Sequence, residues 1–163
     1  MLRRAFLAGI VDKHWTLIKE LHVKAESSVE WDGQISEPFE VHQDDRQGGI
    51  LSTDLCKLYI NQHLNLLETS GMGHRIGNIN INNTACVDDI ALVSENPDQA
   101  QALISMAYDY AYMEGYELQP TKSVVLNISQ KQNNWENSTT FTMGPQKMPA
   151  VESATHLGII RTT

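Results

Sequence analysis

Thr84-Ala85-Cys86-Val87-Asp88-Asp89-Ile90-Ala91-Leu92-Val93 sets two adjacent carboxylates between short apolar runs. Runs of about four residues on each side read as two half-buried strands, which puts Asp88 and Asp89 at or near a hairpin tip. Neighbouring carboxylates repel, and a divalent cation that favours oxygen ligands, such as Mg²⁺, neutralises them. An acidic solvated turn is the alternative reading of the same stretch.

Downstream, Asn96-Pro97 supplies a cap and a first-turn proline for a helix that runs to about Glu114, with Gly115 as its terminator. Residues 122–128 read as a strand, 131–138 as a polar loop, and 139–143 and 156–160 as two more short strands. Upstream, a helix beginning near Ser52 carries Leu55, Leu58, Tyr59, Leu64 and Leu67 on its apolar face and is closed by Gly71 and Gly73. Phe39-Glu40-Val41-His42 alternates as a strand, and Asp32-Gly33 between two strand-like runs is a strong hairpin signal, ended by Pro38. A first amphipathic helix runs from Asp12, its expected N-cap, to about residue 24, with Trp15, Leu17, Ile18, Leu21 and Val23 on one face. Gly9 separates it from a shorter helix. The order of elements predicts an α+β fold, with one helical layer on one face of an antiparallel sheet and the other face open to a ligand.

The 163 residues, 41% apolar and 20% charged, are enough for one structural domain with a real core. A net charge of -8 lacks the basic field of a stand-alone nucleic-acid binder, so contact with a polyanion is expected to be local or metal-mediated. Cys56 and Cys86 have no CxxC spacing and read as small buried residues of a protein in a reducing compartment, cytoplasmic or nuclear. No apolar run reaches membrane-spanning length, and the opening run through Val11 is cut short by Asp12-Lys13-His14, so it reads as a helix and not as a targeting signal. Sequons at Asn82, Asn127 and Asn137 matter only in a secreted protein. The six histidines show no ligand spacing and are expected at surface or edge positions, while Tyr108, Tyr110, Tyr112 and Tyr116 read as helix packing with wet phenol tips.

A second constellation is Arg46-Gln47-Gly48-Gly49, placed between a strand and a helix. Its glycines let backbone amides approach a ligand near the helix start, Arg46 offers forked donors matched to phosphate, and Gln47 orients a base or sugar. Taken alone, such glycines are commonly just turn residues.

Four segments in order resemble the reverse transcriptase palm of non-LTR retrotransposons. Arg46-Gln47-Gly48-Gly49-Ile50-Leu51-Ser52 is similar to the second palm motif, followed by the long helix through Leu55, Tyr59 and Ile60. Cys86-Val87-Asp88-Asp89-Ile90-Ala91-Leu92-Val93 resembles the third, the aromatic-x-Asp-Asp turn. Gly115-Tyr116-Glu117-Leu118-Gln119-Pro120-Thr121-Lys122-Ser123 is similar to the fourth, and His156-Leu157-Gly158-Ile159 to the fifth, the primer-grip segment. The resemblance covers roughly residues 39–160, and the order of the motifs is more specific than any one of them. Residues 1–38 then read as helices and a hairpin preceding the palm motifs, and 39–163 as a partial palm.

The resemblance implies template-directed addition of deoxynucleotides to a primer on RNA or DNA, by two Mg²⁺ ions with Mn²⁺ as a substitute. Asp88 is the implied principal metal ligand and Asp89 its weaker neighbour. Arg46, Gln47, Gly48 and Gly49 are implied to lie along the incoming nucleotide and template, Lys122 to neutralise or protonate the pyrophosphate, and His156, Leu157 and Gly158 to hold the primer.

The family's first palm motif, a metal-bridging aspartate followed by an aromatic, has no match in the sequence. Cys86 replaces the turn's usual aromatic, and Asp44-Asp45 precedes Arg46 where the family has small or apolar residues; two carboxylates there repel a triphosphate. The chain is therefore expected to be a fragment beginning after its own catalytic strand, inactive alone, with the missing strand, fingers and thumb supplied by a longer product. The alternative is a non-catalytic palm remnant, either a nucleic-acid or protein interaction module or the product of a decayed element.

Overall fold

Asn96-Pro97 opens a helix as its sequence predicts. In the structure, a computed structural model that describes residues 2–23, 25–41, 51–128 and 140–162, the Asn96 side chain accepts a 2.9 Å hydrogen bond from the Gln99 N–H. Pro97 occupies the first turn, where its missing N–H has no helical partner to lose, and Gly115 ends the helix in the left-handed region at φ 77°.

The described residues form a mixed α/β chain with four helices and short strand pairs. In chain order these are α1 (Leu2–Leu7), α2 (Asp12–His22), β1 (Glu26–Ser27), β2 (Glu30–Trp31), β3 (Gln34–Ile35), β4 (Phe39–Glu40) and α3 (Ser52–Thr69). They are followed by β5 (His74–Ile76), β6 (Ile79–Ile81), β7 (Asn83–Cys86), β8 (Asp89–Leu92) and α4 (Pro97–Glu114). The last are β9 (Val125–Leu126), β10 (Thr142–Met143), β11 (Gln146–Lys147), β12 (Ala150–Val151), β13 (Ser153–His156) and β14 (Ile159–Thr162). Among the described residues no helix is long and apolar enough to cross a membrane. The chain divides into two units, Met1–Gln62 and His63–Thr163, with the boundary inside α3.

In the first unit Ala5 and Ile18 are buried, and the Trp15 indole N–H donates to the Leu2 carbonyl at 3.2 Å, tying α2 to α1. Asp12 is not the N-cap of α2: Val11 holds that position in extended backbone with no side-chain bond, and Asp12 is the first helical residue. Its carboxylate there still meets the positive end of the helix dipole, while its carbonyl accepts from the Thr16 hydroxyl at 3.1 Å. Asp32 (φ 51°) and Gly33 (φ 74°) are both left-handed and turn β2 into β3, the hairpin their dipeptide predicts.

The second unit is built on α4. Leu103, Ile104, Ala107, Tyr110 and Ala111 recur at helical spacing and are its buried face. Ile104 joins Phe141 and Met143 in a core against which Leu92, Ala100, Tyr108, Leu118, Val125 and Met148 pack. Gln101 pairs with the backbone of β10 as a strand would: its amide donates to the Thr142 carbonyl and its carbonyl accepts the Thr142 N–H, both at 2.9 Å. Gly144, in the turn after β10, lies so close under Tyr108 that a Cβ there would sit 2.2 Å from the ring's Cζ.

Several expectations are corrected. The strands do not assemble into one sheet among the described residues; they form seven two-stranded ladders, six antiparallel and one, β9 with β12, parallel. Each strand is only two to four residues long, too short a ladder to recruit further strands readily. The expected strand over 122–128 shrinks to β9, because residues 120–122 turn back on the Gln119 carbonyl, which accepts the N–H groups of both Lys122 and Ser123. Residues 156–160 are not a strand but the tip of the β13–β14 hairpin, where Leu157 (φ 52°) and Gly158 (φ 76°) supply the two left-handed positions of a tight turn. Cys86 is exposed and Cys56 half-buried, so neither is the buried apolar residue expected. His63, expected at a surface or edge, is fully buried.

Candidate functional site

The acidic pair lies where its flanking sequence predicts. β7 and β8 pair antiparallel with Asn83 opposite Leu92 and Cys86 opposite Asp89, so Val87 and Asp88 form a two-residue turn and Asp89 opens the returning strand. The root of this hairpin is held firmly. Asn82 is 2% exposed; its side-chain amide donates 2.5 Å to the Leu67 carbonyl of α3, and its own carbonyl accepts the Val93 N–H at 2.8 Å. Leu92 packs on the α4 core. The tip is open: Cys86, Val87, Asp88 and Asp89 are all exposed.

Five hairpins among the described residues close through two-residue turns, and four of them place glycine at a left-handed position: Gly33, Gly77, Gly144 and Gly158. The Val87-Asp88 turn has no glycine. Val87, a β-branched residue, takes φ 57°, a conformation that costs such side chains roughly 1–3 kcal/mol. Strain of this kind persists where surrounding structure over-determines it, and here the Asn82 and Leu92 anchors hold the ladder that imposes it.

Among the described residues neither Asp88 nor Asp89 makes an ion pair or a hydrogen bond through its side chain. Lys122 is exposed in its turn, held between Leu118 and Val125, which both pack on the core. His156 is half-buried at the end of β13, and its Nε2 meets no polar partner among the described residues. No ion pair or hydrogen bond joins Lys122 or His156 to the carboxylates. Leu157 and Gly158 are the exposed turn of the β13–β14 hairpin. Arg46, Gln47, Gly48 and Gly49, together with Asp44-Asp45, lie outside the described residues.

Two solvated carboxylates on one hairpin tip suit a single Mg²⁺ that keeps most of its water shell. They do not suit two ions, which need carboxylates from a second element as well. Among the described residues no group of three His, Cys, Asp or Glu side chains stands close enough to hold a metal. The described residues thus supply two carboxylates from one hairpin, with no third metal-ligating side chain grouped with them.

Two features escaped the sequence reading. Val87 was legible as a turn lacking glycine between two strand-like runs. His63 falls midway between Tyr59 and Leu67 in steps of four along α3, the spacing of its buried face, and its polarity hid it. No family model and no curated protein matches this chain.

Proposed function

We propose that this chain is part of an RNA-directed DNA polymerase palm of the non-LTR retrotransposon kind, bearing the carboxylate hairpin of a template-directed nucleotidyl-transfer site and inactive alone. The observation that carries this reading is the strained, glycine-free turn at Val87, which presents Asp88 and Asp89 at an open tip above an anchored root. Backbone strain collects at functional sites, where it fixes side chains that a relaxed turn would leave loose. The ordered motifs of the sequence supply the family.

In this reading Asp88 is the principal ligand of one Mg²⁺ or Mn²⁺ ion and Asp89 its neighbour. Lys122, on the turn before β9, offsets charge on the leaving pyrophosphate. Arg46, Gln47, Gly48 and Gly49 line the nucleotide, and the hairpin tip at His156, Leu157 and Gly158 borders the primer. A second reading, a non-catalytic palm remnant serving as an interaction module, is favoured by the net charge of -8, which opposes the electrostatic grip that nucleic-acid binding depends on.

Calorimetry with Mn²⁺ tests the metal assignment on which the first reading depends. Weak binding of one ion by the wild type, lost in Asp88→Asn, is the expected result; equal binding by both proteins removes the assignment.

A further inference from the structure

Among the described residues of the second unit His63 is the most deeply buried polar side chain, at 0% exposure, and nothing in the proposed polymerase chemistry uses it. Its ring stacks on that of Tyr110 from α4, with centroids 4.6 Å apart and planes 15° from parallel. Its Nδ1 shares a 3.2 Å hydrogen bond with the hydroxyl of Tyr116, which lies just beyond the end of α4. Its Nε2 is buried and meets no partner among the described residues. The Tyr116 N–H in turn closes on the Ala111 carbonyl at 3.1 Å. One imidazole therefore ties the end of α4 and the chain leaving it to α3.

We infer that His63 is an acid-sensitive latch: its protonation releases Tyr116, and the segment that follows α4, from α3. A neutral imidazole has one donor and one acceptor, so the phenol of Tyr116 can bond Nδ1 in either sense. The imidazolium has two donors. Tyr116 must then act as acceptor, and Nε2 carries a charged N–H with no acceptor, in a place where an unpaired charge is strongly disfavoured.

Among the described residues the groups facing the ring are the Tyr110 phenol from α4 and the Tyr116 phenol from the segment beyond it, neither of which is an anion at neutral pH. The nearest carboxylate further along α4 is Glu114, one turn past Tyr110 and half-buried; on α3 the nearest charges along the chain, Lys57 and Glu68, are both exposed. None of them offsets the cost of burial, which pushes His63 below its ordinary value near 6.5. Because the folded-state value is the lower one, the unfolded or unlatched chain takes up the proton first. The latch is intact above about pH 6.5 and is lost as the pH falls through the folded value, weakening up to about tenfold per pH unit across that window.

The test is carried out on the full chain, with ¹³C-labelled histidine NMR, amide hydrogen exchange and urea unfolding between pH 7.5 and 5, for the wild type and His63→Gln. The wild type is expected to show His63 titrating below 6.5, early loss of protection at the Tyr116 amide, and an unfolding constant that rises more steeply on acidification than in His63→Gln. The remaining histidines contribute equally to both proteins and cancel. The same acid dependence in both proteins overturns the latch, as does a Tyr116 amide that stays protected until global unfolding. If His63→Gln does not fold, the wild-type titration alone decides: a His63 value at or above 6.5 overturns the inference.

Discussion

The side-chain amide of Asn82 donates a 2.5 Å hydrogen bond to the carbonyl of Leu67, joining the root of the acidic hairpin to α3. Both residues are buried, Leu67 completely, so the bond is made away from water, on a carbonyl that also accepts the Ser70 N–H at 3.1 Å and the Ser70 hydroxyl at 2.6 Å. Asn82→Ala is expected to destabilise the protein by about 0.5–1.5 kcal/mol in urea unfolding, the net worth of a hydrogen bond lost while the carbonyl keeps its Ser70 partners. A loss below that range would show that the hairpin is rooted elsewhere. The same bond occupies the amide of the Asn82 sequon, so a glycan cannot be attached there in the folded protein.

Val87 is the left-handed residue of the one two-residue turn without glycine among the described hairpins. Val87→Gly relieves a left-handed backbone worth roughly 1–2 kcal/mol while giving back about half of that through the freedom glycine gains when unfolded, so a small net stabilisation is expected. If the strain fixes the carboxylates, the same substitution weakens Mn²⁺ binding. A variant that is both less stable and unchanged in metal affinity would contradict the place given to this turn.

Gly144 and Gly158 separate backbone strain from packing. Both are left-handed, but a Cβ on Gly144 meets Tyr108 at 2.2 Å whereas one on Gly158 meets nothing within 4 Å. Gly158→Ala should cost about 1–2 kcal/mol, from the backbone alone. Gly144→Ala should cost distinctly more, because the clash falls on a ring packed against the α4 core, and thermal unfolding of the two variants side by side measures the difference.

Local chemistry made part of this architecture legible. Asn96-Pro97, Gly115 and Asp32-Gly33 each satisfy a backbone requirement within a few residues, and each forms the structure its sequence predicts. The hairpins at Gly77-Asn78 and Gly144-Pro145 carried the same kind of turn signal but stood between runs of two or three residues, too short to register as strands. The single sheet failed because strand patterning states which segments extend and not which ones pair; β9 finds β12 across the chain, a choice made by tertiary packing. His63 was missed for a related reason. Spacing put it on the buried face of α3, but only the two tyrosines brought in from α4 and beyond make that position tolerable to an imidazole.

Acting alone, the chain is expected not to extend a primed template with either Mg²⁺ or Mn²⁺, since two ions need carboxylates from two elements. Primer-extension gels resolve this directly. Template-dependent incorporation that vanishes in Asp88→Ala would reveal a further carboxylate completing the site.

If Asp88 and Asp89 form a polymerase carboxylate hairpin, residues 83–93 of this chain should work in place of the acidic hairpin of an active reverse transcriptase, whose other strand supplies the remaining carboxylate. Template-directed incorporation by this chimera, abolished by Asp88→Ala, is the expected result. A chimera that folds but incorporates nothing, or one whose incorporation survives Asp88→Ala, contradicts it.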